Sequence, residues 1–318
     1  MSCFENLMIG QAPALKTQLR AAALAAATDV PILIAGESGT GKDLLAQAIH
    51  RESRRAAGPF VPVNCASLPD GLVESLLYGH RRGAFTGAVA DQAGYIQQAR
   101  GGTLFLDEVG ELPAPAQAKL LRFLETRECQ PLGQARPDQV ELRVLAATNR
   151  DLAADAAAGR FRQDLFYRLN VVPVQMPALR ERREDIPALV DHLSRQLSRQ
   201  HDLPPPRYPA ATLTRLQRYD WPGNVRELRN FCERTLILFS GREVQPSNLP
   251  MELRAVQPAA KAGSFALPAG GVDLGSLESD LIQQALAQAG GNRSRAARLL
   301  GLTRDTLLYR IKKWGIEC

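Results

Sequence analysis

The chain has 318 residues, with 39 Lys and Arg against 33 Asp and Glu, and 45% of it is apolar. That apolar share excludes a chain disordered throughout, and the lack of any unbroken apolar run of about 18 residues excludes a membrane span. Five scattered cysteines without a C-x-x-C pair favour reduced thiols over disulfides or a zinc site. Since no basic segment followed by an apolar one opens the chain, we expect a cytoplasmic protein.

Apolar runs alternate with helical patterns along the first part of the chain, and helical patterns alone follow. Long helical spacers between short apolar runs indicate parallel strands, with loops and ligands at the carboxyl ends of the strands. The strand candidates are residues 30–35, 60–64, 103–106, 142–146 and 171–175. The predicted divisions are an α/β subdomain over 1–176, a helical subdomain over 177–240, a Pro-rich and Gly-rich linker over 241–275, and a helical tail over 276–318.

The first chemical signal follows the first strand candidate. Between that strand and a helical run lies the sequence of a phosphate-binding loop, called the P-loop below: Gly36, Glu37, Ser38, Gly39, Thr40, Gly41, Lys42 and Asp43. Its glycines let backbone N–H groups curl round phosphates, and Lys42 reaches the terminal phosphates. Asp43 stands where most such loops have the Ser or Thr that ligates magnesium. A carboxylate could hold the ion directly or through water, but it also adds negative charge near a triphosphate.

A second loop sequence follows the second strand candidate. It consists of Gly83, Ala84, Phe85, Thr86, Gly87 and Ala88. The two glycines make a flexible tip that would present Phe85 outward, where an apolar ring in water is costly unless it meets a partner. For most such hexapeptides, a tight turn with the ring tucked into the core is the alternative.

Polar residues end three of the strand candidates. The third candidate belongs to a segment predicted to bind the nucleotide, made of Ala99, Arg100, Gly101, Gly102, Thr103, Leu104, Phe105, Leu106, Asp107 and Glu108. Asp107 can hold Mg²⁺, usually through water, and Glu108 can polarise the water that attacks the γ-phosphate, although such a pair alone could simply cap the next helix. Thr148 and Asn149 end another strand and indicate either a γ-phosphate sensor or a turn. Asn64 could hydrogen-bond Glu108 or merely begin a loop.

The tail concentrates positive charge. From Gly291 to Cys318, seven Lys and Arg against two Asp and Glu give +5 of the chain's net +6. A helix with an i+4 stripe is predicted first, then a short helix, a turn at Gly301 and a last helix capped by Thr303. The stripe is Leu277, Leu281, Ala285 and Ala289; the last helix is expected to bury Leu307, Ile311 and Trp314. This is the helix-turn-helix pattern, with a hairpin that serves only dimerisation as the alternative. The predicted DNA contacts are Arg293, Ser294, Arg295, Thr303, Arg304, Thr306, Tyr309, Arg310 and Lys313.

Together these motifs resemble one family, the AAA+ activators of sigma-54 RNA polymerase, also called bacterial enhancer-binding proteins. Residues 83–88 are identical to the GAFTGA signature of that family, and the tail from Asn292 to Gly315 is similar to its Fis-type DNA-binding module. The resemblance implies an α/β AAA+ P-loop domain with a parallel sheet, a small helical lid and an all-α Fis-type helix-turn-helix. It also implies ATP and Mg²⁺ as cofactors, with Asp43 and Asp107 near the metal.

The resemblance also implies roles for particular residues. Asn64 matches the residue that restrains the catalytic glutamate, and Thr148 and Asn149 match the first sensor. The segment from Phe161 to Leu169 resembles the arginine-finger segment, which implies that Arg162 and Arg168 reach the γ-phosphate of a neighbouring subunit. The segment from Trp221 to Leu228 is similar to the second sensor, with Arg226 on the nucleotide and a capping box formed by Asn224 and Glu227.

The implied partners are sigma-54 RNA polymerase holoenzyme, contacted by residues 83–88, upstream enhancer DNA, and further copies of the chain. We expect a hexameric ring that is a dimer at rest. Residues 4–10 already resemble the start of the ATPase domain, so we expect no receiver domain, as in phage-shock-type regulators, and control in trans by an inhibitory or co-activating protein. The alternatives are another AAA+ remodelling ATPase and a DNA-binding regulator that uses its ATPase core only for oligomerisation.

Overall fold

The computed structural model describes Phe4, residues 7–254 and residues 273–316. The chain divides into two compact units, residues 1–256 and residues 257–318. No described helix combines the length and the apolar character that crossing a bilayer requires. The first unit carries the sheet and a helical lid, and the described part of the second unit, residues 273–316, carries three helices.

The first unit is built on a five-stranded parallel sheet, in which the strands lie in the order Phe60–Asn64, Thr103–Asp107, Arg143–Thr148, Ile32–Ala35 and Val172–Gln175. The strands are β1 (Ile32–Ala35), β2 (Phe60–Asn64), β3 (Gly79–His80), β4 (Gln92–Ala93), β5 (Thr103–Asp107), β6 (Glu128–Cys129), β7 (Asp138–Gln139), β8 (Arg143–Thr148) and β9 (Val172–Gln175). The short pairs β3-β4 and β6-β7 are antiparallel and stand outside the main sheet. All five predicted strands are confirmed, with bounds that differ by at most two residues.

Helices cover both faces of the sheet, so its central strands are buried on both sides. The helices of the first unit are α1 (Pro13–Ala26), α2 (Lys42–Arg51), α3 (Val73–Tyr78), α4 (Tyr95–Gln98), α5 (Ala114–Thr126), α6 (Leu152–Ala157), α7 (Gln163–Leu169), α8 (Ile186–His201), α9 (Ala210–Arg218), α10 (Asn224–Leu238) and α11 (Met251–Arg254). Successive strand residues point to opposite faces, and Leu104 and Phe105 accordingly belong to different apolar clusters. This continuous burial matches the unbroken apolar runs in the sequence.

The lid has its own apolar core, made of helices α8 to α10 around the fully buried Trp221. Val244, Leu249 and Leu253 pack in the same core. The prediction that a linker begins at residue 241 is therefore wrong, because residues up to 253 bury apolar side chains in the lid. The middle of the predicted linker, residues 255–272, lies outside the described residues.

The second unit contains α12 (Leu274–Gln288), α13 (Arg293–Leu299) and α14 (Arg304–Trp314). The predicted stripe of α12 is partly wrong. The buried residues of the helix are Ile282, Ala285 and Leu286, followed by Ala289 at its C-cap, whereas Leu281 is 44% exposed. Apolar residues four apart occur on two adjacent faces of this helix, so their spacing alone does not identify the buried face. The buried face is the one that packs against Leu307 and Ile311.

Candidate functional site

The P-loop joins the carboxyl end of β1 to α2, as the sequence predicted. Gly39 has φ of 78° and Gly41 has φ of 99°, which are left-handed values that glycine adopts at little cost. The N–H of Gly36 donates to the carbonyl of Thr148 on the adjacent β8, at 3.2 Å. Since α2 begins at Lys42, the loop ends where a helix N-terminus favours negative charge.

Lys42 lies at the end of this loop and is only 5% exposed although it carries a charge. Its Nζ donates to the carbonyl of Gly36 at 2.9 Å and to that of Glu37 at 3.4 Å. The same nitrogen lies 3.6 Å from Glu108 Oε1. Lys42 thus connects the P-loop with the end of β5, where a terminal phosphate and its attacking water would meet.

Asp107 and Glu108 lie side by side where β5 ends. Burial first, and then the neighbouring charge of Glu108, raise the pKa of Asp107. Additional positive charge would stabilise the ionised carboxylate in that position, and a divalent cation would supply it. Asp43 is exposed in the first turn of α2.

Glu108 is held in an uncommon backbone conformation, with φ of 52°. Its Oε2 accepts a hydrogen bond from the N–H of Asn149 at 3.0 Å. Thr148 is buried, and its Oγ1 accepts from the N–H of Arg150 at 3.0 Å. The end of β8 therefore orients Glu108 through a backbone donor, while the Asn149 side chain remains exposed.

Asn64 does not hold Glu108 in this conformation. It lies opposite Asp107 in the register of β2 and β5. Its Oδ1 accepts from the N–H of Ala66 at 3.0 Å and so starts the turn after the strand. Of the two alternatives that the sequence left open, Asn64 therefore begins a loop. The backbone N–H of Asn149 is the hydrogen-bond donor to Glu108.

Most of the predicted nucleotide-binding segment around β5 lies away from the site. Ala99, Leu104, Phe105 and Leu106 are buried in the apolar core, and Thr103 contacts His50. Strand residues advance about 3.3 Å each, so the start of β5, with Arg100, Gly101 and Gly102 before it, lies about 13 Å or more from Asp107. Residues 103–106 build the sheet and residues 99–102 precede it, so a nucleotide contact by residues 99–106 stays a prediction, whereas Asp107 and Glu108 lie at the carboxyl end of the strand.

The lid contacts the P-loop through the start of α10. Arg226 donates from Nη1 to Ser38 Oγ at 2.8 Å, so it lies beside the loop. The predicted capping box is wrong, because Glu227 Oε2 accepts from the N–H of Gly223 at 2.9 Å. Asn224 instead makes its contacts with the loop and with the segment that leads into the lid.

Sequence reasoning missed a charged segment between β9 and α8. Arg180 pairs with Glu37, and Arg182 donates from Nη2 to the carbonyl of Thr40 at 3.1 Å. Asp185 Oδ1 accepts from the N–H groups of Gln11 and Ala12, which tie the lid to the start of α1. The dense charge from residue 180 to 185, directly after the last strand, was the signal that could have found them.

The two arginines of the predicted finger segment lie at α7. Arg162 precedes the helix and binds Asp164 through both of its carboxylate oxygens, at 3.0 and 2.7 Å. Arg168 donates from Nη2 to the carbonyl of Leu124 at 3.2 Å. The side chain of Arg162 is 46% exposed, so it is accessible from outside this chain.

Residues 83–88, called the GAFTGA loop from here on, follow β3. The N–H of Gly83 donates to the carbonyl of Ala88 at 2.9 Å, which closes the loop on itself. The expectation that Phe85 is presented fully outward is wrong for this conformation. Its ring is half-buried against the edge of His80, with 5.0 Å between the ring centroids.

In the second unit, Thr303 caps α14 as predicted, with its Oγ1 accepting from the N–H of Thr306 at 3.2 Å. Tyr309 is 69% exposed, and Arg304 is also exposed. Arg310 is less available, since it pairs with Glu278 of α12. The Trp314 Nε1–H donates to the same carboxylate at 3.1 Å, so Glu278 joins the last helix to the first.

Comparison with known proteins agrees with this geometry. Residues 8–175 match the sigma-54 interaction domain, residues 180–264 the AAA+ ATPase lid domain, and residues 274–314 the Fis family of bacterial regulatory proteins. The chain belongs to the family of sigma-54-dependent transcriptional activators. It is therefore an α/β AAA+ protein with a lid and a Fis-type helix-turn-helix.

Similar proteins include the transcriptional regulatory protein ZraR of Salmonella typhimurium, 44% identical over 96% of this chain and 68% of that protein. The response regulator protein PilR of Pseudomonas aeruginosa is 42% identical over 98% of this chain and 71% of that protein. The crystal structure of NtrX from Brucella abortus in complex with ATP matches with a TM-score of 0.72 and 35% identity, over 97% of this chain and 69% of that one.

Proposed function

We propose that the protein uses ATP hydrolysis to convert closed complexes of sigma-54 RNA polymerase holoenzyme into open complexes, with the GAFTGA loop as the part that contacts sigma-54. The observation that carries the proposal is the identity of residues 83–88 with the family signature, in the same unit as a P-loop that contains Lys42. We also propose that it acts in the cytoplasm, because its proposed partners are RNA polymerase and DNA.

The proposed hydrolysis is mainly electrostatic. Lys42 would neutralise charge on the terminal phosphates, and Glu108, oriented by the Asn149 N–H, would orient the attacking water. Asp107 would hold Mg²⁺, with Asp43 close to the start of the same helix as Lys42. When bound, the ion would neutralise charge that develops on the phosphates. Arg226, already beside Ser38, would contact the nucleotide from the lid.

We propose a ring of subunits, hexameric when active and dimeric at rest. The support is chemical: Arg162 is exposed at the start of α7, and an arginine that serves as a finger must act across an interface between subunits. Arg168 would act with it. Binding and hydrolysis of ATP at these interfaces would move the GAFTGA loop.

The tail would bind upstream enhancer DNA through α14. Arg304→Ala is expected to weaken binding of enhancer DNA and to reduce the dependence of log affinity on log salt by about one, because one phosphate contact is lost. Arg310→Ala is expected to lower the melting temperature of the second unit as well, since Arg310 pairs with Glu278. Fluorescence anisotropy over a salt series would measure DNA binding, and thermal unfolding would measure the melting temperature. Equal salt slopes for wild type and Arg304→Ala would contradict the role of Arg304.

The central test is open-complex formation in vitro with sigma-54 holoenzyme and ATP. Lys42→Ala is expected to lose both ATP hydrolysis and promoter opening, whereas Phe85→Ala keeps hydrolysis and loses opening. Leu24→Ala is the matched control, because Leu24 is an exposed apolar residue on α1, at 79% exposure. It is expected to behave as wild type.

Equal promoter opening with a non-cleavable ATP analogue would contradict the proposal. ATP hydrolysis stimulated by unfolded protein or by DNA ends, with no effect on sigma-54 promoters, would instead indicate another remodelling ATPase. Control by a separate inhibitory or co-activating protein stays a prediction; activity that tracks expression alone would contradict it.

A further inference from the structure

The side chain of Glu37, although part of the P-loop, is engaged by the lid. Arg180 donates to both of its carboxylate oxygens, from Nη1 at 2.8 Å and from Nη2 at 2.5 Å. Asn224 Nδ2 donates to Oε2 at 3.1 Å. The hydrogen bonds from Arg180 and then from Asn224 lower the pKa of Glu37 to about 2. Glu37 is therefore a charged anchor between the loop and the lid.

Asn224 is the buried part of this arrangement, with 0% exposure. Its Oδ1 accepts from the N–H of Leu179 at 2.8 Å, and its Nδ2 also donates to the carbonyl of Ser38 at 3.0 Å. One amide group thus joins the P-loop, the segment before Arg180 and the start of α10. Its φ of 51° lies in the left-handed region, which Asn enters more readily than most residues, and its bonds to Leu179 and Ser38 hold it there.

The remaining loop carbonyls on this side also meet lid donors. The carbonyl of Gly39 accepts from the N–H of Val225 at 2.9 Å, and that of Thr40 accepts from Arg182. A Cβ atom on Gly39 would lie 2.4 Å from the carbonyl oxygen of Gly223, so the two backbones are in close contact. The carbonyls of Ser38, Gly39 and Thr40 thus accept from lid donors, so the N–H groups of this part of the loop need not bond them and can face phosphates.

We propose that Glu37, Arg180 and Asn224 are positioning residues for ATP, which hold the P-loop in its phosphate-binding shape by fixing it to the lid. None of the three is assigned to the reacting atoms. Their loss should therefore weaken ATP binding more than it slows the chemical step. The inference rests on the ATPase part of the proposed function and does not depend on sigma-54.

The test compares ATP hydrolysis and binding of a fluorescent ATP analogue by the full chain and its variants. Glu37→Gln and Arg180→Gln are each expected to raise KM for ATP and Kd for the analogue about tenfold, with kcat within twofold of wild type. Arg180→Lys should recover part of the loss, because it restores the charge without the bidentate geometry. The exchanged pair Glu37→Arg with Arg180→Glu should recover more than either of its single variants.

Arg195→Gln is the matched control, since Arg195 pairs with Asp191 on the same lid helix, α8. It should leave KM and Kd unchanged. A Glu37→Gln variant with KM and Kd within twofold of wild type would overturn the inference, as would an equal rise in Arg195→Gln. If Glu37→Gln does not fold, Arg180→Gln decides by the same criterion. Full hydrolysis by Lys42→Ala would instead count against the ATP site itself and hence the proposed function.

Discussion

Two glycine-containing loops of the same unit differ in what surrounds them. Gly39 in the P-loop and Gly83 in the GAFTGA loop have nearly equal φ values, 78° and 79°. A Cβ on Gly39 would collide with the lid, whereas one on Gly83 would meet nothing within 4 Å. The same glycine conformation therefore lets the lid backbone approach the P-loop closely, whereas the GAFTGA loop has open space beside Gly83.

The bonding of the two loops differs in the same way. Lid donors bind successive carbonyls of the P-loop. The GAFTGA loop is bonded at its base, where the N–H of Arg81 donates to the carbonyl of Leu132 and its side chain binds Asp91 and Gln134. At the tip, Phe85 has the ring contact with His80. One loop is thus built to keep its shape, and the other can move with small loss of contacts.

The largest expected effect is on the rate of ATP hydrolysis and concerns Glu108, which belongs to neither loop. Glu108→Gln should reduce ATP hydrolysis at least 100-fold, because a group positioned for acid or base catalysis contributes about 10²–10⁴ in rate, while ATP binding is retained. Glu111→Gln is the control, since Glu111 is an exposed acid that pairs with Arg150. Hydrolysis assays with a parallel binding measurement check this. Equal rates for the two variants would remove Glu108 from its assigned role.

The next prediction compares the two glycines directly. Gly39→Ala should weaken ATP binding about tenfold or more, because the added methyl group displaces the loop from Gly223. Gly83→Ala should cost only the backbone strain, about 1–2 kcal/mol in the free energy of unfolding, and leave Kd for ATP unchanged. Thermal unfolding and binding of a fluorescent ATP analogue measure both. The contrast between the loops fails if the two variants bind ATP alike.

The smallest expected effect concerns pH. The pKa of Glu37 lies near 2, below the ordinary value, so its charge-dependent contribution is fully present above the ordinary pKa and is lost only as the pH falls through about 2. The ratio of KM for ATP between Glu37→Gln and wild type should therefore stay constant within twofold from pH 5 to pH 8. A ratio that falls towards one near pH 5 would mean that the Glu37 carboxylate is already protonated there.

Two of the predictions that failed share one feature, which is a choice between hydrogen-bond partners at similar distance along the chain. Glu227 accepts a hydrogen bond from the N–H of Gly223, and Asn224 donates one to the Ser38 carbonyl of the P-loop. Asn149 holds Glu108, where Asn64 was the expected partner. In each case several polar groups were chemically suitable, and the packed fold selected one of them.

The sequence by itself determined the strands, the P-loop, the acidic end of β5 and the capped last helix, because these depend on local periodicity, glycine and capping residues. Tertiary structure alone decided that Phe85 rests on His80, that residues 244–253 complete the lid, and that Glu37 faces Arg180. Such contacts join residues that are far apart in the chain or equivalent in type. Their choice depends on which surfaces the packed elements bring together, and neither local spacing nor composition records that.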